Sequence, residues 1–354
     1  MKKLTIIPAL VALAATNTFA GDNTINVVGR AGWHWKDNDL KKTGTPNSSS
    51  FNIDYFRTTL AGAITPTVKY YATADFLGDT STADSTDNTS SFIDEAFLTK
   101  SFATGTAVTI GKKAVFIGGR EYDYNNTDRY TDSYFYSATP ANQVGLTLTQ
   151  EWEGQTIVAQ YFNGNKNNGG ATTTNEQSKY GWSVGWYGEL FGGWVKPIVS
   201  YSIIPEGTVG ATTASGGTRA FKGDDQFIGA GFQLNTPHNA VLEFDYNILN
   251  EKDAGAAKED FKTRSFVGLV RYTAERLSPF VKVISDERKT DSTKTATRFA
   301  YDVGIEFKEK SDDAIRYHVV YSGGTVKDNI NATEAKSSPK SILVGLKFDA
   351  AVLK

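Results

Sequence analysis

The sequence predicts one antiparallel up-and-down β-barrel crossing a membrane, and three observations carry the prediction. About sixteen short runs alternate apolar with polar residues, which is the two-residue period of a strand. The linkers alternate too: tight near 65–67, 103–105, 153–155, 191–193, 235–239, 274–278 and 309–313, and wide near 36–50, 78–90, 117–141, 163–178, 204–224, 250–262, 285–297 and 322–339. Seven turns and eight loops suit an even number of strands with both chain ends on one side of the membrane. Finally, the runs are about 9–12 residues long, the length a tilted membrane strand needs. Strands of soluble proteins average about five or six. A soluble sandwich would also alternate, but it gives no reason for short and long linkers to take turns.

Residues 1–20 read as an export signal. Lys2 and Lys3 precede an apolar stretch from Leu4 to Ala15, and Thr18-Phe19-Ala20 forms a small-residue cleavage site before Gly21. That stretch is too short to span a bilayer. Cleavage leaves 334 residues as one barrel domain, 21–354, and removes two lysines, so 35 basic side chains face 39 acidic ones and the net charge goes from −2 to −4. Cysteine is absent, which excludes disulfides and thiolate metal sites. The weak net charge, without a basic cluster interleaved with aromatics, argues against nucleic acid as a partner.

Along the chain, one face of a strand recurs as Val68, Tyr70, Ala72, Ala74 and Phe76, opposite Lys69, Tyr71, Thr73 and Asp75. The pattern returns in Tyr180, Trp182, Val184 and Trp186, in Ala240, Leu242, Phe244, Tyr246 and Ile248, and in Phe299, Tyr301, Val303, Ile305 and Phe307. The last strand sets Ile342, Val344, Leu346 and Phe348 on one side. Aromatic residues gather at run ends (Trp33, Trp35, Tyr55, Phe56, Tyr70, Tyr71, Tyr161, Phe162, Trp194, Tyr321), as expected of interfacial girdles. Around 263–272 both faces are apolar, and 278–285 is short with Pro279 at its start, so the strand count lies between fourteen and eighteen. A contact between protomers would account for a strand apolar on both faces.

The stretch 56–113 carries Phe56-Arg57, Leu60-Ala61-Gly62, Thr65-Pro66, Tyr70 and Asp75-Phe76. It continues with Asp94-Glu95-Ala96-Phe97-Leu98 and Thr109-Ile110-Gly111-Lys112. In these motifs the chain resembles the trimeric porins of Gram-negative outer membranes, especially the phosphate-selective group. There, an arginine-bearing strand turns at a proline into a strand ending Asp-Phe, followed by an Asp-Ala-aromatic strand and an aliphatic-Gly-basic strand. Two departures stand out. Ala114-Val115-Phe116-Ile117-Gly118-Gly119 replaces the usual Pro-Phe-Gly step, and Asp349–Lys354 follow Phe348, where such barrels commonly end on an aromatic residue. The resemblance implies a homotrimer of sixteen-stranded barrels in the outer membrane, surrounded by lipid and lipopolysaccharide. It also implies passive passage of small hydrophilic solutes without a cofactor. It leaves phosphate as the solute open, so an anion-selective channel stands beside a general one, and a structural or adhesive barrel beside both.

Sixteen strands leave an aqueous lumen. Parity turns Arg30, Arg57, Lys69 and Lys112 inward from neighbouring early strands, a candidate basic wall, unless register scatters them. The resemblance further implies that the third loop, 117–141, folds into the lumen and narrows it. Its Arg120, Glu121, Asp123, Asp128, Arg129 and Asp132 are the candidate constriction residues, and its acids are expected to oppose the basic wall across a gap. The alternative is a surface loop whose tyrosines support its own fold. Neither catalysis nor a metal site is expected. The three histidines (His34, His238, His318) form no set with a nucleophile, and Asp79, Asp84 and Asp87 lack the ligand order of a calcium loop. Gly118-Gly119 and Gly192-Gly193 precede no helix that would make a phosphate cradle.

Overall fold

A computed structural model describes residues 23–37, 47–76, 93–124, 126–139, 142–163, 180–205, 211–212, 218–219, 224–251, 260–290, 295–309, 314–328 and 335–353. The expected signal at 1–20 and the loop carrying Asp79, Asp84 and Asp87 lie outside these residues.

Sixteen long strands form one closed sheet. They are β1 (Thr24–Asp37), β2 (Ser48–Thr65), β3 (Val68–Asp75), β4 (Ile93–Ser101), β5 (Thr106–Ala114), β6 (Asn142–Trp152), β7 (Gln155–Asn163) and β8 (Tyr180–Gly188). The second half comprises β9 (Val195–Pro205), β10 (Asp224–Asn235), β11 (Ala240–Glu251), β12 (Phe261–Tyr272), β13 (Leu277–Thr290), β14 (Thr295–Lys308), β15 (Ile315–Asp328) and β16 (Lys340–Leu353). Each strand pairs antiparallel with the next, and β1 pairs with both β2 and β16, so no edge is left open. Ile25 lies opposite Leu353, which puts both chain ends at the short-turn end. The residues after Phe348 extend the last strand as far as Leu353.

The turns follow from local chemistry. Trp152 pairs with Gln155 across Glu153-Gly154, both with positive φ (45° and 76°). That mirror-image turn matches the twist of the flanking strands, and a glycine adopts it at no steric cost. At the opposite end strands run longer than the 9–12 residues the sequence suggests, up to the 18 of β2. A hairpin can continue past the apolar band because each added residue pair still satisfies its ladder bonds.

Apolar side chains point outward, as Val344, Leu346, Val303 and Ile305 do from β16 and β14, and need lipid to cover them. The alternate positions point inward and are polar, for example Asp302, Glu306 and Lys347. Strand β12 is apolar on both faces for a reason inside the barrel. Phe266 and Val270 are exposed, while Val267 and Leu269 are buried on the lumen side, where β12 packs beneath the third loop. The aromatic expectation is corrected in the same way. Trp194 and Tyr161 face out, but Tyr55 and Tyr71 line the lumen and Phe162 packs under the loop, because a large ring also serves to dock a segment inside.

Candidate pore constriction

After β5 the chain turns into the barrel. Val115, Ile117 and Phe135 of the loop are buried against Phe162, Ile204, Phe227 and Leu249, which point inward from β7, β9, β10 and β11. Tyr124 and Tyr130 pack on a second inward apolar cluster, Leu269, Phe280, Val320 and Leu343. Tyr130 stacks on Phe280 with centroids 5.5 Å apart. Two single-turn helices, α1 (Arg120–Asp123) and α2 (Tyr134–Ser137), lie within the loop, and the Ser133 hydroxyl caps the second by accepting from the Tyr136 amide. Burying these rings inside a wet lumen removes apolar surface from water at both loop and wall, and holds the loop there.

Polar groups fix its position. The Asp245 carboxylate accepts the backbone amides of Arg120 (2.6 Å) and Glu121 (2.7 Å). The Glu121 carboxylate accepts Lys282 Nζ at 2.9 Å and the Ser133 amide at 3.1 Å, joining the two halves of the loop to β13. Lys282 also donates to the Thr131 carbonyl. Asp128 receives Lys347 at 2.5 Å and lies 3.6 Å from Arg316. The Asp132 carbonyl accepts from Arg298, and the Thr131 hydroxyl donates to Asp302. Burial disfavours charge on Asp128, yet Lys347 and Arg316 hold its carboxyl below the usual value. Burial pushes Asp123 and Asp132 upward, against the pull of Arg120 and Arg129 respectively. The phenols of Tyr122, Tyr124 and Tyr130 are pushed up by burial and stay neutral, so each remains a donor.

The expected arrangement, loop acids opposing a basic wall across open space, is corrected in its charges. Glu121 and Asp128 lie in contact with cations of β13, β15 and β16, because opposite charges in a desolvated interior gain most by touching. Asp123 pairs with Arg120 within the loop, and Arg129 lies over the Tyr136 ring. On the near wall, two bulges matter. One lies opposite Arg30/Ala31 and leaves Asp54 extra in β2, where it pairs with Arg30 at 3.1 Å and His34 at 2.8 Å. The other lies opposite Thr73/Ala74 and leaves Asp94 extra in β4, where it meets Arg57; Asp75 lies 3.6 Å from the same guanidinium. Bulges re-aim side chains, and here each delivers an acid to a wall cation. Arg30 also donates to the Thr127 and Arg129 carbonyls of the loop.

Lys69 shares the lumen face with Thr73 and Asp75 but sits exposed beside the short β2–β3 turn. Lys112 is displaced by one residue from the expectation. Ile110, 62% exposed, faces out and alternation carries Lys112 with it, while Lys113 shares the face of buried Thr109 and lies 5.4 Å from the Phe97 ring. Alternation alone puts Asp245 and Glu306 on the inward face without giving them a role, and Lys282, Arg298, Arg316 and Lys347 escaped the sequence reading. The available signal was an isolated charge at an inward position of a late strand.

Between the loop and strands β1–β5 a polar cavity of about 550 Å³ remains. Arg57, Asp75, Asp94, Glu95 and Asn142 line its charged side, and Tyr55, Tyr71, Tyr122, Tyr124 and Tyr136 supply rings.

Residues 25–193 match the family described as phosphate-selective porin O and P. No curated protein matches the chain. Among solved structures, OmpT of Vibrio cholerae in its trimer form has a TM-score of 0.66 at 10% identity, covering 93% of this chain and 100% of that one. The outer membrane channel DcaP of Acinetobacter baumannii gives 0.65 at 10% identity, with coverages of 93% and 97%. The anion-selective porin from Comamonas acidovorans gives 0.62 at 12% identity, with coverages of 93% and 100%. Over residues 25–193 the chain matches that porin family, and its fold is the multi-pass β-barrel of the outer-membrane porins it resembles.

Proposed function

We propose that this outer-membrane channel is a homotrimeric, weakly selective pore through which small hydrophilic solutes and ions diffuse down their gradients, without cofactor or catalysis. The observation supporting it is the loop seated inside the barrel, which leaves the polar cavity beside β1–β5 as the narrow passage. Single-channel recording in planar bilayers tests it. Trimers should insert in steps and conduct ohmically. A protein that inserts without conductance would refute the channel and favour the adhesive alternative. The trimer form of OmpT from Vibrio cholerae motivates the assembly, and the outward apolar faces suit lipid and lipopolysaccharide as surroundings.

An anion-selective channel is the second reading, motivated by the family's description and by the Comamonas acidovorans porin. It needs cations in excess at the neck. The cavity instead presents Arg57 among Asp75, Asp94 and Glu95, which favours the weakly selective version with a lean toward cations. A reversal potential of strongly anionic sign in a salt gradient would reverse that preference.

A further inference from the structure

The loop's entry into the lumen depends on a notch in the far wall. Gly118 has φ +80°, and its carbonyl accepts Ser200 Oγ of β9 at 3.0 Å. A side chain on Gly229 of β10 would stand 2.3 Å from the Gly118 Cα, so the two backbones touch with nothing between them. Next to it, a Cβ on Gly119 or on Gly231 would come within 2.1 Å and 1.9 Å of the Asp245 carboxylate. These bare positions let Asp245, only 2% exposed, reach the consecutive amides of Arg120 and Glu121 with one oxygen each.

We propose that Asp245 is the positioning residue of the pore. Seated in the notch of Gly229 and Gly231, it fixes how far the loop stands from β1–β5, and thereby the width of the passage between Tyr122 and Arg57. The geometry is specific to a carboxylate. Two converging N–H donors need two acceptor oxygens, whereas an asparagine would turn an N–H donor toward one of them. Asp245 does not line the cavity itself, so any effect on transport must travel through the loop. The inference rests on the channel reading above.

The test uses full-length Asp245→Asn and Gly231→Ala in planar bilayers, with liposome swelling in sugars of graded size. Both variants should raise single-channel conductance by about twofold and admit larger sugars. In a background lacking residues 120–133, Asp245→Asn should add nothing further. The chain lacks cysteine, so spin labels at Ser137→Cys and Thr104→Cys report the loop's position directly. Their distance distribution should broaden when Asp245 is changed. Folded variants with the parent's conductance, size cut-off and label distances would overturn the proposal, whatever happens to thermal stability. If the parent chain itself fails to conduct, the channel reading falls instead, and the label distances still judge the role of Asp245.

Discussion

The Lys282 ammonium lies 2.9 Å from the Glu121 carboxylate, with the two side chains only 4% and 2% exposed, between a lumen-facing strand and the loop that crosses the lumen. Such a pair is costly to break from one side, because the remaining charge stays buried without a partner.

Lys282→Met should therefore weaken loop docking by about 3–5 kcal/mol, whereas Lys282→Met with Glu121→Gln should cost much less. Protease cleavage within residues 117–139 of detergent-solubilised protein measures this. Equal cleavage of the single and double variants would count against the buried pair.

The near wall should govern charge preference. Replacing Asp75 and Asp94 with asparagine leaves Arg57 facing only Glu95 and Asp349 in the neck, and the cation-to-anion permeability ratio should fall by about two- to threefold. Arg57→Ser should move it the other way. Reversal potentials in a salt gradient decide, and shifts of the same sign in both variants would defeat the assignment.

Of the loop's three aspartates, Asp132 and Asp128 respond oppositely to acid. Burial raises Asp132 despite Arg129, so it takes up a proton above the ordinary carboxylate pKa of about 4. Burial also opposes charge on Asp128, but Lys347 and Arg316 win and depress it. A depressed carboxylate contributes stability that is complete above its unfolded pKa of about 4 and is lost as pH falls through the lower folded value. Conductance should thus hold steady down to about pH 4 and jump below it as the loop releases, whereas Asp128→Asn should show no such step. A jump near neutral pH that persists in that variant would exclude Asp128 as the cause.

Phe135, 2% exposed and edge-on to Phe227 at 5.7 Å, anchors α2. Phe135→Ala should cost about 3–5 kcal/mol of local docking and speed hydrogen exchange at Ser133–Ser137. The melting of the barrel should barely change, since its strands keep every ladder bond. Loss of barrel circular dichroism at the parent's working temperature would show that the loop supports the wall itself.

The two-residue period was legible because lipid and water enforce it at every strand, and the turn positions were legible because glycines and short polar runs mark them. The inward course of residues 117–139 matched its length and its tyrosines. Its charge partners were hidden. Lys282 and Lys347 lie on strands far along the chain, where a lone inward lysine looks like any solvated lumen residue. Asp54 and Asp94 reach Arg30 and Arg57 only through bulges, which shift parity locally and leave no period to read. The Lys112-Lys113 pair failed for a simpler reason: two like residues in succession carry no parity of their own, and Ile110 decides between them.

Apart from Arg30, the charged side chains that anchor the loop are synthesised after it. Asp245 follows Glu121 by 124 residues, Lys282 by 161, and Lys347 follows Asp128 by 219. A half-finished chain thus lacks Lys282, Arg316 and Lys347, the cations that Glu121 and Asp128 touch in the closed barrel, and contacts so distant in sequence form late. The crossing segment has to be enclosed while the wall is still an open ribbon. The seam where Ile25 meets Leu353 is then the last to zip, and whatever inserts this chain must keep that seam apart until its interior is filled.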